Sequence, residues 1–590
     1  MKRLLTYLRP FIPRMSLGLA VKVFGTLIEL AIPWILSYII DDLIPIGEMS
    51  PVVIWGMLMI VCSLLAWVGN ITANRMAAAV ARDFTRQLRH DLFGKISYLS
   101  ERQVDGVTIP SLISRVTSDT YVLHQTVGMM QRLGVRAPIL LVGGVVVTLT
   151  LDPVLTLIMV ATLPIVGAIT FFVSRKGAKL FKKVQSASDS MLRVVRENAV
   201  GVRVIKALSK SAYERERFKS VNDSLTDKER TAEKTMALIN PVMSLLLNLG
   251  IVAVIIAGAY RVQGGVTEVG KIIAFMNLFT IVLNALLAIN RMFTMLSRAA
   301  ASSARVLEVM DMPEELYETE PHFSFLPENA PHIAFRNVTF RYDKGGFEIK
   351  NLSFELNRGE TLGIIGATGS GKSTVIRALM RYYDVADGCI EIDGVNIRDY
   401  ATSDLRAKFG VVFQNDTLFK DTIRENIRLG RELDDEQLLE SARRAQAYDF
   451  IEAQGGLDAE VAIKGANLSG GQKQRLLISR ALSGKPEILI LDDSSSALDY
   501  KTDSKLREEI RLHYADTTKI IIAQRISSIM HAEKIIVMEN GSVIGMGTHD
   551  ELMKTCPMYR EIGESQIGDR RSSNEQRPFA ELHRTKEAGL

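Results

Sequence analysis

The strongest constraint on this chain is that its long apolar stretches are confined to the first 300 of its 590 residues. A helix needs about 20 largely apolar residues to cross a bilayer. The chain therefore has an N-terminal half suited to lipid and a C-terminal half suited to water. Six stretches are apolar and long enough to span a membrane: residues 15–41, 51–72, 128–150, 153–173, 238–260 and 271–297.

The segments between the spans indicate how the chain is oriented. Segments 73–127 and 174–237 are long and basic, whereas the first short loop carries Asp41, Asp42 and Glu48. The positive-inside rule places the long segments and both termini in the cytoplasm. Because apolar residues recur in these segments at helical spacing, we expect the spans to continue outside the bilayer as helical hairpins.

Overall charge and cysteine content exclude two classes of function. The net charge of +5 is small for this length and gives no argument for nucleic-acid binding. Cys62, Cys389 and Cys556 are far apart, so their spacing predicts neither a disulfide framework nor a cysteine metal site.

Polar residues inside apolar spans are candidate substrate contacts. They also have a plainer interpretation, in which they form hydrogen bonds between helices or face a water-filled cavity without touching substrate. The sequence leaves both interpretations open for Glu29, Asn248, Asn277, Asn284 and Arg291, the last of which lies below the two asparagines of the sixth span.

The pattern changes after the sixth span. We predict a membrane domain over residues 1–310, a linker over 311–331 and a soluble α/β domain over 332–565. In that last domain, short alternating strands precede a nucleotide-binding loop. Residues 566–590 are polar and lack a periodic pattern, which predicts a disordered tail.

The sequence LGIIGATGSGKST, residues 362–374, has the pattern of a phosphate-binding loop between a buried strand and a helix. Its glycines let backbone N–H groups surround phosphates, its lysine reaches the terminal phosphates, and its serine binds Mg²⁺. The predicted ATP-binding residues of this loop are Gly366, Thr368, Gly369, Ser370, Gly371, Lys372, Ser373 and Thr374.

Two further motifs complete the predicted nucleotide site. The strand ILILD ends at Asp492, a candidate Mg²⁺ ligand. The sequence NLSGGQ either caps a helix or forms a second phosphate cradle at Ser469, Gly470, Gly471 and Gln472. One domain cannot easily aim two cradles at one phosphate tail, so we expect a second domain to complete each site.

These motifs resemble an ATP-binding cassette, and six spans ahead of it resemble the half-transporters of the ABC exporter family. The resemblance covers residues 1 to about 565. It implies ATP and Mg²⁺ as cofactors, adenine stacking on Tyr342, and Mg²⁺ ligands at Ser373, Gln414 and Asp492. It also implies that the LSGGQ residues face the nucleotide of a partner cassette, and it places coupling helices near residues 109–115 and 212–217.

The chain departs from this family at two catalytic positions. Asp493 stands where active cassettes have a glutamate, and Gln524 stands where they have the switch histidine. A carboxylate one methylene shorter lies further from the attacking water, and glutamine cannot shuttle a proton as histidine can. We therefore expect a site that binds ATP and hydrolyses it poorly, as in the degenerate-site subunit of heterodimeric exporters.

The resulting hypothesis is half of a heterodimeric plasma-membrane exporter of hydrophobic or amphipathic small molecules or lipids. Its partners are a second half-transporter, membrane lipid and the substrate, with no nucleic acid. Two alternatives remain: a slow homodimeric exporter, and an ATP-gated membrane sensor that does not pump.

Overall fold

The computed structural model describes residue 4 and residues 6–313, 330–342, 348–494 and 496–575. It divides into two compact units. The membrane unit comprises Met1–Tyr98 and Val107–Pro313, and the cassette unit comprises Leu99–Gly106 and Glu314–Leu590. Most of the predicted linker, residues 314–329, lies outside the described residues.

Six helical segments in the described part of the chain are long and apolar enough to cross a membrane. The predicted fold class is thereby confirmed for the N-terminal half. Several helices exceed the roughly 20 residues that a bilayer requires, as expected for spans that continue outside it. In chain order the helices are α1 (Ile12–Tyr38), α2 (Met49–Ser97), α3 (Glu101–Val107), α4 (Ile109–Ser114), α5 (Thr120–Leu151), α6 (Pro153–Ala207), α7 (Ser211–Ala237), α8 (Ile239–Gln263) and α9 (Val269–Met310).

Carboxylates fix helix ends at one edge of the membrane unit. Asp41 accepts hydrogen bonds from the backbone N–H groups of Gly270 and Lys271, at 2.5 and 2.8 Å, where α9 begins. Asp152 caps the start of α6 and pairs with Arg261 at 2.8 Å. Since free N–H groups at a helix start are costly in lipid, these contacts mark the ends of the spans.

The cassette unit is built on a six-stranded sheet in the order β12-β11-β3-β10-β9-β6. All neighbouring pairs are parallel except β11 with β12. The carboxyl ends of the parallel strands therefore meet at one edge, where ligands bind in α/β sheets. The strands of this sheet are β3 (Thr361–Gly366), β6 (Phe409–Val412), β9 (Ile488–Asp492), β10 (Thr518–Ile522), β11 (Lys534–Glu539) and β12 (Ser542–Gly547).

A second, antiparallel sheet has the order β2-β1-β4-β5, and β7 pairs with β8. The strands of the four-stranded sheet are β1 (Ile333–Arg341), β2 (Glu348–Leu356), β4 (Asp387–Ile392) and β5 (Val395–Asn396), and those of the separate pair are β7 (Asp421–Thr422) and β8 (Glu460–Val461). The helices of this unit after residue 330 are α10 (Lys372–Leu379), α11 (Thr402–Ala407), α12 (Ile423–Arg428), α13 (Asp435–Arg444), α14 (Tyr448–Ala453), α15 (Gly470–Ser483), α16 (Tyr500–His513), α17 (His549–Thr555) and α18 (Pro557–Glu575).

The start of the predicted disordered tail differs from the structure. Residues 566–575 continue α18, and residues 576–590 lie outside the described residues. Gln566 gives a physical reason, because its side chain accepts a hydrogen bond from Ile526 N and donates one to Gln524 O, at 2.9 and 2.8 Å. These contacts join α18 to the loop after β10. Local periodicity does not reveal them, because the partners are far apart in the sequence.

Candidate functional site

The phosphate-binding loop connects β3 to α10, and two glycines determine its path. Gly366 has a φ of 156°, and a Cβ there would lie 2.1 Å from Met538 O. Gly371 has a φ of 106° and precedes the first residue of α10. Only glycine fits both requirements, since the left-handed region and the close backbone approach exclude a side chain.

The loop side chains that the sequence assigned to phosphate and Mg²⁺ form specific contacts. The Lys372 ammonium donates to the carbonyl oxygens of Gly366 and Ala367, both at 2.8 Å. Ser373 Oγ donates to Asp492 Oδ2 at 2.7 Å, which links α10 to the end of β9. The lysine is thus held over the loop, and the serine is held against the acid.

A cavity of about 390 Å³ lies at the sheet edge where these elements meet. It brings together most of the residues that the sequence assigned to the nucleotide. Gly366 and the buried Ser370 form part of the loop that leads to it. The lining residues are Tyr342, Thr368, Gly369, Gly371, Lys372, Ser373, Thr374, Gln414, Asp492, Asp493, Ile522 and Gln524.

The residues present fit a Mg²⁺ ion. Ser373, Gln414 and Asp492 line the same cavity and supply hydroxyl, amide and carboxylate oxygens, the ligands that this ion prefers. Burial raises the pKa of Asp492, against the opposing effects of the Ser373 hydrogen bond and the Lys372 charge. A bound divalent cation would reverse this effect by favouring the ionised carboxylate.

Asp493 and Gln524 form a pair beside this cluster. Gln524 Nε2 donates to Asp493 Oδ2 at 2.9 Å, so one carboxylate oxygen is occupied by an amide. Asp493 has a φ of 51°, a left-handed conformation that aspartate tolerates better than most residues. Burial is also the main cause that raises the pKa of Asp493, while Lys372, Arg525 and the Gln524 hydrogen bond act to lower it.

Gln474 on α15 connects the pair to the chain that follows it, and the sequence analysis missed this residue. Its side-chain Nε2 donates to the Asp493 carbonyl at 3.3 Å, and its Oε1 accepts from Ala497 N at 3.1 Å. A glutamine two positions after the LSGGQ sequence was visible in the sequence. Its partners were not, because they lie 19 and 23 residues away.

Tyr342 lines the cavity, and its side chain already contacts other residues of this chain. Its hydroxyl is 3.3 Å from Thr374 Oγ1, and its ring packs edge-on against Phe340 and Tyr383, with centroids at 4.7 and 5.4 Å. Adenine stacking on Tyr342 stays a prediction.

The LSGGQ residues lie outside the nucleotide cavity of their own chain. Ser469 caps α15: its Oγ accepts from Gln472 N, and Gln472 Oε1 accepts from Ser469 N at 2.8 Å. Ser469 and Gly470 are exposed to solvent. The residues are therefore available to a second cassette, as the sequence analysis expected, and that role stays a prediction.

A neighbouring cavity of about 600 Å³ shares Ser373, Gln414 and Asp492 with the nucleotide cavity and is also lined by Glu101 of α3. In the same unit, Tyr383 donates a hydrogen bond of 2.5 Å to Asp105 Oδ2. The segment that packs on the cassette is therefore residues 99–106.

The first coupling helix was predicted near residues 109–115. In the structure these residues group with the membrane unit, whereas residues 99–106 group with the cassette unit. The seven-residue helix α3 has no apolar periodicity of its own. The position of α3 depends on Tyr383, which lies 278 residues further along the chain.

The polar residues predicted in the spans behave differently from one another. Asn248 and Asn277 each donate one hydrogen bond to a carbonyl of their own helix, at 2.8 and 3.1 Å. Glu29 instead forms an ion pair of 2.7 Å with Arg136. The charged side chains near this pair were not singled out from the sequence.

Comparison with known proteins gives consistent matches along most of the chain. Residues 15–286 match the family described as ABC transporter transmembrane region, and residues 349–496 match the family described as ABC transporter. YfiB of Bacillus subtilis, an uncharacterised ABC transporter ATP-binding protein, is 35% identical over 573 residues, covering 96% of this chain and 99% of the relative.

Two further matches extend these similarities. YgaD of Bacillus subtilis, provisionally named a multidrug export ATP-binding/permease protein, is 32% identical over 95% of this chain and 98% of its own length. The solved structure of a bacterial Atm1-family ABC exporter with ATP bound has a TM-score of 0.81 at 25% identity, covering 94% of this chain and 99% of that chain.

Proposed function

Because this chain belongs to the ABC transporter family, as a half-transporter with one transmembrane region fused to one ATP-binding cassette, we propose that it serves in a heterodimeric exporter and contributes a hydrolysis-impaired nucleotide site. One observation carries the proposal. The residue after Asp492 is an aspartate, and the amide of Gln524 occupies one of its carboxylate oxygens.

Three features of this pair weaken general-base catalysis. The Asp493 carboxylate is one methylene closer to the backbone than that of a glutamate. A displacement of roughly 1 Å can cost on the order of 10²-fold in rate. The carboxylate also shares an oxygen with the Gln524 amide, which cannot accept and return a proton at neutral pH.

The parts of the site that bind ATP are complete. The glycine loop is present, and Lys372, Ser373 and Asp492 line one cavity with the side-chain types that bind phosphate and Mg²⁺, which supports ATP binding by this chain. Bound Mg²⁺ supplies positive charge that neutralises the phosphate oxygens. The residues of this chain then hold the nucleotide in place, while the exposed Ser469 and Gly470 are left to complete a site on the partner.

In the proposed exporter the cassettes are cytoplasmic and the six helices cross the plasma membrane. ATP held between two cassettes brings them together, and the long helices transmit this closure to the membrane pathway. Hydrolysis at the partner's site then resets the transporter. The transported molecules are hydrophobic or amphipathic small molecules or lipids.

The test is ATPase activity of the purified full-length chain in lipid bilayers, beside Asp493→Glu and Asp493→Glu/Gln524→His. We expect the native chain to be nearly inactive and the double variant to regain turnover by about 10²-fold. Lys372→Ala added to the double variant is the control, because it removes the phosphate contact and must abolish any restored activity. Turnover by the native chain at the rate of the double variant would contradict the proposal and indicate a self-sufficient homodimer.

A further inference from the structure

A group of four charged side chains lies within the membrane-spanning part of the first unit. Arg136 Nη2 pairs with Glu29 Oε1 at 2.7 Å, and these side chains are 34% and 26% exposed. Lys22 is buried, and its ammonium donates to Asn70 Oδ1 and Asn74 Oδ1, at 2.7 and 3.1 Å. Lys22 and Glu29 are seven residues apart on α1, and Arg132 and Arg136 are four apart on α5, so each pair shares a helix face with one member of the ion pair.

The cluster contains more positive than negative charge. Glu29 is its one carboxylate, against Lys22, Arg132 and Arg136. Arg132 is exposed, and its Nε donates to the carbonyl of Gly128 on its own helix at 3.1 Å. In the part of the chain that the structure describes, no acidic side chain pairs with Arg132. Two positive charges therefore stay uncompensated among these residues.

Two atoms of the central ion pair are also unsatisfied. Glu29 Oε2 and Arg136 Nε are buried and have no hydrogen-bond partner. Charged groups within spans are costly and face a protein interior or an aqueous cavity rather than lipid. A surplus of cationic donors in such a place is a site for an anion.

The depth of the cluster indicates what kind of anion. Asp41 and Asp152 mark the far ends of α1 and α5. At 1.5 Å per residue, Lys22 and Arg132 lie roughly 28–30 Å from those ends, and Glu29 and Arg136 lie roughly 18–24 Å from them. A hydrocarbon core is about 30 Å thick, so in the predicted orientation the cations lie towards the cytoplasmic boundary.

Apolar side chains also lie beside the arginines of the cluster. Met130 on α5 and Met292 on α9 both lie beside Gly134, between Arg132 and Arg136 in sequence. Methionine adapts its shape to varied apolar ligands. A ligand bound here would meet cationic donors and a flexible apolar wall at once.

We propose that Lys22, Arg132 and Arg136 form the head-group subsite for an anionic amphiphile, a molecule with a carboxylate or phosphate group on an apolar tail. This inference rests on the proposed export function and restricts its substrate class. The Glu29 carboxylate pairs with Arg136 through Oε1, so its charge offsets one of the three cations and two remain for an anion.

The test is equilibrium binding of dansyl-undecanoic acid to the full-length chain in phosphatidylcholine nanodiscs, with fluorescence as the readout. Competitors with equal tails carry different head groups: lauric acid, dodecyl phosphate, dodecyltrimethylammonium and dodecyl maltoside. We expect the two anions to displace the probe at about tenfold lower concentration than the cation or the neutral sugar detergent.

Four variants locate the effect. Arg132→Gln and Arg136→Gln should each weaken probe binding by about tenfold, whereas Arg136→Lys keeps the charge and should stay close to the native chain. Arg196→Gln, an exposed arginine of α6 outside the predicted span, is the matched control for loss of one charge. Nanodiscs that contain phosphatidylglycerol distinguish the two sources of the anion. If the site takes an anionic bilayer lipid, phosphatidylglycerol should compete with the probe. If the site takes a free amphiphile, probe binding should not change.

Two kinds of result would overturn the inference. The first kind is equal displacement by anionic, neutral and cationic competitors, or unchanged binding by both glutamine variants. It would show that the site does not select its ligand by charge, and it would leave the proposed export of amphiphiles unaffected. Absence of binding by every amphiphile, in a sample that still binds ATP, removes the assigned substrate class as well. The ATPase test of Asp493 is independent of both results.

Discussion

The buried carboxylate of Asp492 is suited to metal binding at the expense of the stability of the metal-free cassette. Burial raises its pKa, so its ionised form is disfavoured in the folded cassette. A carboxyl with a raised pKa lowers stability above that pKa, and the penalty disappears as the pH falls through it. Removing the charge should therefore stabilise the cassette at neutral pH when no metal is present.

We predict that Asp492→Asn raises the unfolding temperature of the full-length chain near neutrality, in chelator and without nucleotide. The difference from the native chain should narrow as the pH is lowered. Excess Mg²⁺ and ATP should reverse the order, because only the ionised aspartate binds the cation well. Thermal unfolding over a pH series measures all three effects, and a native chain that is the more stable one in chelator at neutral pH would contradict the assignment.

At the scale of secondary-structure elements, α18 stabilises the loop that carries Gln524. Gln566 exchanges two hydrogen bonds with this loop, one with Ile526 N and one with Gln524 O. The loop has few other constraints on the solvent side, since Gln524 and Arg525 are exposed. The position of Gln524 beside Asp493 therefore depends in part on a helix that follows the catalytic motifs.

We predict that Gln566→Ala increases hydrogen exchange of the backbone over residues 524–529. Loss of the two bonds should cost about 1–3 kcal/mol of local stability. Glu564→Ala on the same helix is the control, because Glu564 is exposed and alters no bond to the loop. Equal exchange in the two variants would show that α18 does not hold the loop.

The same elements show how far the sequence could predict this molecule. The six apolar runs and the phosphate-binding loop depend on local patterns, and their predicted fold class is confirmed. The contact of Tyr383 with Asp105 joins residues 278 positions apart, and no local pattern encodes it. Arg132 and Arg136 could have been identified from the sequence as two cations on one helix face, because residues four apart share one face of a helix.

At the scale of the whole molecule, ABC exporters act as dimers. A substitution at Ser469 can test how the two cassettes share their nucleotide sites. Aspartate caps a helix as well as serine does, so Ser469→Asp should keep α15 intact. Its charge would repel a phosphate placed against the helix start. The substitution therefore affects whichever nucleotide Ser469 faces without unfolding the cassette.

We predict that Ser469→Asp leaves ATP binding by the isolated chain within about twofold but lowers ATPase activity of the complete dimer by about tenfold or more. Ser469→Asn, a neutral cap of similar size, should retain most of that activity. Binding is measured by equilibrium titration with a fluorescent ATP analogue, and activity by phosphate release. Weakened ATP binding in the isolated chain would mean that Ser469 acts on its own nucleotide.

The two hydrogen bonds of Gln474 have a mechanical consequence for such a dimer. The amide nitrogen of Gln474 donates to the carbonyl of Asp493, a residue that lines the nucleotide cavity of this chain. The amide oxygen of Gln474 accepts from the backbone N–H of Ala497. Gln474 itself lies on α15, whose first turn is proposed to face the nucleotide of the partner. Any tilt of α15 would therefore move Asp493, so in the proposed heterodimer the nucleotide site of this chain would respond to movement of the helix that serves the partner's site.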